Sequence, residues 1–202
     1  MAQNTSINSG SGTAGQLLTS NGNAAPSFQS INVGGWVKLG TYTATTTSVD
    51  MTSVMDSSIY QSYKMIVSSL QVASAANIGL YFSTDNGGTW DSSAVYADAS
   101  RQYPLEASAT GVAVAATGLT YFHIMSSLAA TSKSYILMNI HPIDSNGAYM
   151  NGYGVYKFNT DSKYAYIRYT GRWVTATTAN AIQLFSGADL SGTVVELYGN
   201  VK

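Results

Sequence analysis

From Trp36 onward the chain is a succession of short β-like runs cut by Gly, Asn, Asp and Ser, and this pattern narrows the folds open to it more than any other feature. The clearest run is residues 77–83. Ile78, Leu80 and Phe82 fall on one side and Gly79, Tyr81 and Ser83 on the other, the period of two that marks a half-buried strand. Similar runs occupy residues 36–43, 60–72, 119–125, 134–141, 152–158, 164–173, 181–185 and 193–199. No stretch joins a helical stripe to a cap and a stop, and residues 51–62 offer at most a short turn of helix. The pattern predicts an all-β antiparallel sandwich, jelly-roll-like or alternatively immunoglobulin-like, because strand number does not fix connectivity. Residues 135–140 are apolar on both faces, so either another subunit covers the outer face or the strand lies mid-sheet beneath a long loop.

The first 35 residues have a different character. Residues 12–29 are small and polar, with Gly12, Gly15, Gly22 and Pro26, and their only bulky side chains are Leu17, Leu18 and Phe28. Such a segment buries too little apolar surface to offset the entropy of ordering its own backbone, so it is expected to be an extended arm ordered by a partner. Gly34 and Gly35 form a plausible hinge, since paired glycines accept nearly any backbone angles. The expected organisation is therefore an arm at 1–35 and a sandwich body at 36–202.

The residues Gly12, Thr13, Ala14, Gly15, Gln16, Leu18, Thr19, Ser20, Asn21, Gly22, Ala25, Pro26 and Phe28 closely resemble a motif near the start of bacteriophage tail-fibre, neck-fibre and capsid-decoration proteins. Phe28 stands where those proteins more often carry Trp. The closing stretch 185–199, in which a Gly-Thr turn leads into an apolar strand ending Leu-Tyr-Gly, is similar to the last strand of small phage fibre domains. The resemblance implies a virion location after assembly in the host cytoplasm, a homotrimer, and docking on other virion proteins through Gly12, Thr13, Gly15, Gln16, Leu17, Leu18, Asn21, Gly22, Pro26 and Phe28. Docking by strand addition would use Leu17, Leu18 and Phe28 as anchors. The implied function is a short tail, neck or head fibre or spike that contacts the host surface. A capsid decoration protein is the alternative and a glycan-degrading tailspike domain the outsider.

Composition agrees with surface assembly more than with chemistry. Only 9% of the 202 residues are charged, and the formal net charge of −1 provides no basic field for a nucleic acid. No apolar run reaches the length of a membrane span, and the polar start Met1-Ala2-Gln3-Asn4 does not read as a signal peptide, so no membrane insertion is expected. With no cysteine, disulfides and thiolate metal sites are excluded.

Residues 83–90 match the Asp-box pattern Ser-x-Asp-x-Gly-x-Thr-Trp. Even in the propellers that repeat it, that box is a hairpin rather than a catalytic centre. Here Asp85 is expected to accept backbone hydrogens, Gly87 to permit positive φ and Trp90 to pack beneath. The ten acidic residues are scattered singly beside turn formers rather than paired for glycoside hydrolysis. Asp144, Asn146 and Gly147 are spaced like part of a calcium loop, but the later bidentate Glu is missing. His123 and His141 sit singly in β-like runs, where a packed or interfacial side chain is expected. No phosphate loop, nucleophile elbow or dinucleotide fingerprint occurs, so neither enzyme activity nor a cofactor or metal is expected.

Fifteen tyrosines and three tryptophans remain to be placed. The densest stretches, 149–156 and 164–173, carry Tyr149, Tyr153, Tyr156, Tyr166, Arg168, Arg172 and Trp173. These are the parts of a glycan-binding surface, an aromatic face for the ring and polar groups for the hydroxyls; packing across the sandwich is the plainer alternative.

Overall fold

The period-two runs fold as strands in two antiparallel sheets. The computed structural model describes residues 16–21, 24–30, 35–93, 95–104, 113–142, 147–157, 164–175, 177–190 and 192–202. The chain divides into two compact units, Met1–Gly34 and Gly35–Lys202. The first unit holds β1 (Gln16–Asn21) and β2 (Ala24–Ser30). In the second, β3 (Trp36–Thr43), β4 (Ser48–Met51), β5 (Tyr60–Leu70) and β6 (Ala76–Ser83) come first. There follow β7 (Tyr96–Pro104), β8 (Ala113–Leu119), β9 (Phe122–Leu128), β10 (Ser134–Pro142) and β11 (Ala148–Lys157). The last are β12 (Tyr164–Trp173), β13 (Ala181–Ser186) and β14 (Val194–Val201).

The large sheet runs β3-β14-β5-β10-β11-β12-β7-β8 and the small sheet β4-β13-β6-β9. Set aside β7, β8, β11 and β12, and the chain crosses between sheets at every step except β6 to β9, which pair with each other. That is the wrapping of a jelly roll; an immunoglobulin-like sandwich would keep more consecutive strands paired within one sheet. The hairpins β7–β8 and β11–β12 are insertions into this frame. They join through β12 and β7 and extend the large sheet beyond β10, from four strands to eight.

The core lies between the sheets. Tyr63, Met65, Val67, Ile136, Met138, Ile140, Val195 and Leu197 face inward from the large sheet, and Val49, Met51, Leu80, Phe82, Ile182 and Leu184 from the small one. Each such side chain contributes roughly 1.5–3 kcal/mol on burial. Aromatic pairs link the layers: Phe82 stacks on Trp173 with ring centroids 5.2 Å apart, and Phe122 meets Tyr169 edge-on at 6.1 Å.

Several sequence expectations shift. The run at 119–125 is not one strand, because Leu119 ends β8 and Phe122 begins β9. β4, β7 and β8 were not expected; β8 is mostly Ala, Val, Thr and Gly, and β7 mixes Ala and Ser with Asp, Arg and Gln, so neither shows a hydrophobic period. The expected turn of helix within 51–62 reduces to one tight turn, in which the Asp56 carbonyl accepts from the N–H of Ile59 and Tyr60 and its carboxylate from that of Ser58. β10 lies between β5 and β11; its inner row, Ile136, Met138 and Ile140, is fully buried in the core, and its outer row, Tyr135, Leu137 and Asn139, is half-buried.

In the first unit the chain doubles back rather than running as a single extended arm. β1 and β2 pair antiparallel, with Leu18 opposite Phe28 and Gln16 opposite Ser30. The register slips between Thr19 and Asn21, leaving Ala25 and Pro26 to face Ser20; a bulge is where a strand tolerates a residue without an N–H.

Candidate functional site

Strands β11 and β12 pair without a slip, and that register decides which aromatic side chains reach the surface. Tyr149 stands opposite Arg172, Asn151 opposite Thr170, Tyr153 opposite Arg168 and Val155 opposite Tyr166. All of these lie on the outer face of the large sheet. Tyr149 and Tyr153 are each 40% exposed, and both arginines are exposed. Tyr153 stacks against Tyr166 at 6.0 Å and 30°. Between the two Tyr–Arg pairs, Asn139 donates to the Asn151 side-chain oxygen at 3.2 Å.

Tyr156 and Trp173 do not belong to this surface. Both are odd-numbered steps away from the exposed set, Tyr156 from Tyr153 and Trp173 from Arg172, so the pleat turns them inward to 0% and 1% exposure. Burial raises the Tyr156 hydroxyl pKa. The strand period alone would have separated the two groups.

Beside Tyr149 and Arg172 the sheet surface falls away. Ala97 and Ala99 of β7, Ala116 and Thr117 of β8 and Thr170 of β12 line a shallow groove of about 340 Å³, with Tyr149 and Arg172 on its border. The inserted hairpins supply this groove, since their outer positions carry methyls and hydroxyls where neighbouring strands carry rings. Its small residues gave no signal in the sequence. Asp98 reaches the groove lining only from below: its carboxylate turns to the other face and accepts the backbone N–H of His123 at 3.2 Å. Burial raises the Asp98 pKa, an effect that the nearby His123 and that hydrogen bond oppose. Burial lowers the His123 pKa, while Asp98 pulls the other way. His123 Nε2 lies 3.3 Å from Ser126 Oγ, and its ring meets Tyr121 edge-on.

The Asp-box residues form a self-contained turn. Asp85 Oδ1 accepts from Ser83 Oγ at 2.6 Å and from the Thr89 N–H at 2.8 Å, and Oδ2 accepts from the Thr89 hydroxyl. Ser83 Oγ in turn accepts the N–H of Gly87 at 2.9 Å. The hydroxyls of Ser83 and Thr89 and the Thr89 N–H lower the Asp85 pKa to about 2. Asn86 and Gly87 have φ of 61° and 87°, the left-handed geometry that the Asn-Gly pair favours. Trp90 is half-buried beside Gly87, and Asn180 pins the turn by accepting the Asn86 N–H and donating to the Thr84 carbonyl. The Ser83 hydroxyl, the Asp85 carboxylate and the Thr89 hydroxyl are thus all occupied in holding the turn.

A second aromatic cluster, missed in the sequence, covers the outer face of the small sheet. Tyr81 stacks on Phe185 at 4.4 Å, and Tyr121 packs edge-on to both. The three rings gather over Gly79, where a Cβ would stand 2.5 Å from Tyr121.

Among the described residues no three His, Asp or Glu side chains gather as a metal site. Asp144 and Asn146 lie outside the described residues. So do Gly12, Thr13, Gly15, Gly22 and Gly34 of the expected docking segment. Gln16, Leu17, Leu18 and Asn21 fall in β1, and Pro26 and Phe28 in β2, where both are half-buried. Gly35 is part of the body rather than a free joint, since its carbonyl accepts the Val201 N–H at 3.1 Å. No protein-family model matches the chain, and neither do any curated proteins or solved structures.

Proposed function

We propose that the chain is a non-enzymatic bacteriophage virion protein, a short tail, neck or head fibre or spike. Its N-terminal unit docks on the particle, and its jelly-roll body faces the host surface as part of a homotrimer. The observation that carries the reading is the motif from Gly12 to Phe28, which resembles the docking segment of phage fibre and decoration proteins. The structure adds a physical reason for docking: the segment pairs as a two-stranded sheet, and an isolated two-stranded hairpin is marginally stable in water. A third strand or an apolar pocket on another virion protein would supply the missing burial, and three copies acting together would multiply weak contacts. The body offers the Tyr–Arg outer face as its most feature-rich exposed surface.

Deleting residues 1–34 tests the reading. The remaining body is expected to fold yet be missing from purified particles; particles that still incorporate it would refute docking through this segment. Particles lacking the protein separate the two placements. A fibre's loss lowers adsorption to host cells, whereas a decoration protein's loss lowers the shell's resistance to heat.

A further inference from the structure

We infer that the outer face built by β11, β12 and the β7–β8 hairpin binds a linear, carboxylated polysaccharide along the strand direction. The inference deepens the host-contact reading by naming the ligand class, and it rests on that reading only for its biological setting. Its basis is a repeat that the register creates: Tyr149 opposite Arg172, and Tyr153 opposite Arg168. Each pair places a tyrosine and an arginine directly across two strands on one exposed face. The ring offers a flat apolar surface to a pyranose, and the guanidinium fork matches a planar carboxylate with two parallel hydrogen bonds. The pairs are four residues apart on each strand, hence roughly 13–14 Å. Asn151 and Thr170 stand between them, suited to sugar hydroxyls. A ligand that uses both pairs must be extended and carry charge at intervals, which describes a polymer and not a monosaccharide.

Charge supports the same ligand. Lys157, Arg168 and Arg172 stand on this face, and Lys64 and Lys38 lie farther along the same side of the large sheet on β5 and β3. Among the described residues the only carboxylate on that side is Glu196 of β14. That carboxylate is engaged by Lys38 at 2.5 Å. Lys64 sits over the Trp36 ring, and Asp98 faces the core. Arg168 and Arg172 therefore have no carboxylate partner among the described residues, although the whole chain carries a net charge of −1. The positive bias is local and faces outward. Two guanidiniums flanked by rings, amides and hydroxyls suit a polymer of sugar rings that carries planar carboxylates.

The test uses the full-length protein, free of particles, in affinity electrophoresis through gels containing polygalacturonate, hyaluronan or polysialate. Fully methyl-esterified polygalacturonate, dextran sulfate and oligothymidylate serve as comparisons. At least one carboxylated polymer is expected to retard the protein, with binding at least about tenfold weaker to the esterified form, since it loses the charge-assisted bonds. Arg168→Ala and Arg172→Ala are each expected to weaken binding about tenfold, and Arg172→Lys nearly as much, because an ammonium lacks the fork. Tyr149→Ala is expected to weaken it while leaving the circular dichroism and urea midpoint unchanged. Retardation by none of the three polymers, equal retardation by the esterified form, or tighter binding to dextran sulfate or oligothymidylate would each overturn the proposal. None of these outcomes bears on particle docking, which the deletion of residues 1–34 tests separately.

Discussion

The indole N–H of Trp173 donates to the carboxylate of Asp91 at 2.7 Å, tying the last residue of β12 to the loop that follows the Asp-box turn. Trp173 is otherwise enclosed, stacked on Phe82 and 1% exposed, so Asp91 satisfies the one polar atom that this ring carries into the core. Asp91 is held in turn: its N–H donates to the Phe82 carbonyl, and its own carbonyl accepts the Tyr96 hydroxyl. Replacing Trp173 by Phe keeps most of the packing and removes the charge-assisted bond, an expected loss of about 2 kcal/mol. Trp173→Ala also opens a cavity and is expected to cost about 4 kcal/mol. Urea denaturation of the two variants measures both steps, and a Trp173→Phe variant as stable as the parent would show that the hydrogen bond contributes nothing.

The Asp85 turn should respond to acid. Its carboxyl lies at about 2 in the folded chain against an ordinary 3.8. A lowered value means that the folded state favours the ionised form. The contribution is therefore complete above the ordinary value and is lost as pH falls from there through about 2. Protection of the Gly87 and Thr89 amides, whose N–H groups depend on the Ser83–Asp85 pair, is expected to fall across that window relative to their intrinsic exchange rates. In Asp85→Asn that protection should already be low at neutral pH and should not change further between pH 4 and 2.

Much of this architecture was legible from the period of two. Residues 164–173 match β12, because Ala165, Ile167, Tyr169 and Trp173 alternate there with more exposed residues, and residues 36–43 match β3 although that strand has no buried row. β7 and β8 escaped notice because a strand that carries Ala, Ser and Thr shows no period, and their place in the sheet comes from pairing with β12 rather than from their own composition. The candidate face was half legible. Tyr149, Tyr153, Arg168 and Arg172 stood out as residue types, but that they form two cross-strand pairs depends on the β11–β12 register, which no single strand reveals. The groove beside them depends on what is missing, since side chains too small to fill a surface leave no mark in a sequence.

At Gly171 of the large sheet the Phe122 ring of the small sheet packs against the backbone. A Cβ at this position would stand 2.2 Å from Phe122 Cε2 and 2.4 Å from the Ala97 carbonyl oxygen. Phe122 is fully buried and the carbonyl belongs to the β12–β7 ladder, so neither neighbour can retreat cheaply. Gly171→Ala is expected to destabilise the body by about 3 kcal/mol through overpacking. Gly187, where an added Cβ meets nothing within 4 Å, is the control. Its replacement by Ala is expected to stay within about 0.5 kcal/mol of the parent, as measured by thermal and urea unfolding.

The bond from Asp98 to the His123 N–H sets desolvation against hydrogen bonding. His123 lies on β9, the edge strand of the small sheet, and the carboxylate comes from β7 of the large one, so a buried acid closes a backbone donor across the layers. Burial disfavours the charge, as the raised Asp98 value shows. An amide at this position keeps an acceptor oxygen for the N–H and removes the buried charge. Asp98→Asn is therefore expected to leave the neutral-pH stability unchanged or raise it, whereas Asp98→Ala orphans the donor and is expected to cost about 2 kcal/mol. Lowering the pH should narrow the gap between Asp98→Asn and the parent, because protonation of a carboxyl whose folded value is raised relieves the same burial penalty in the parent. A gap that widens on acidification would mean that attraction between the carboxylate and His123 outweighs its burial.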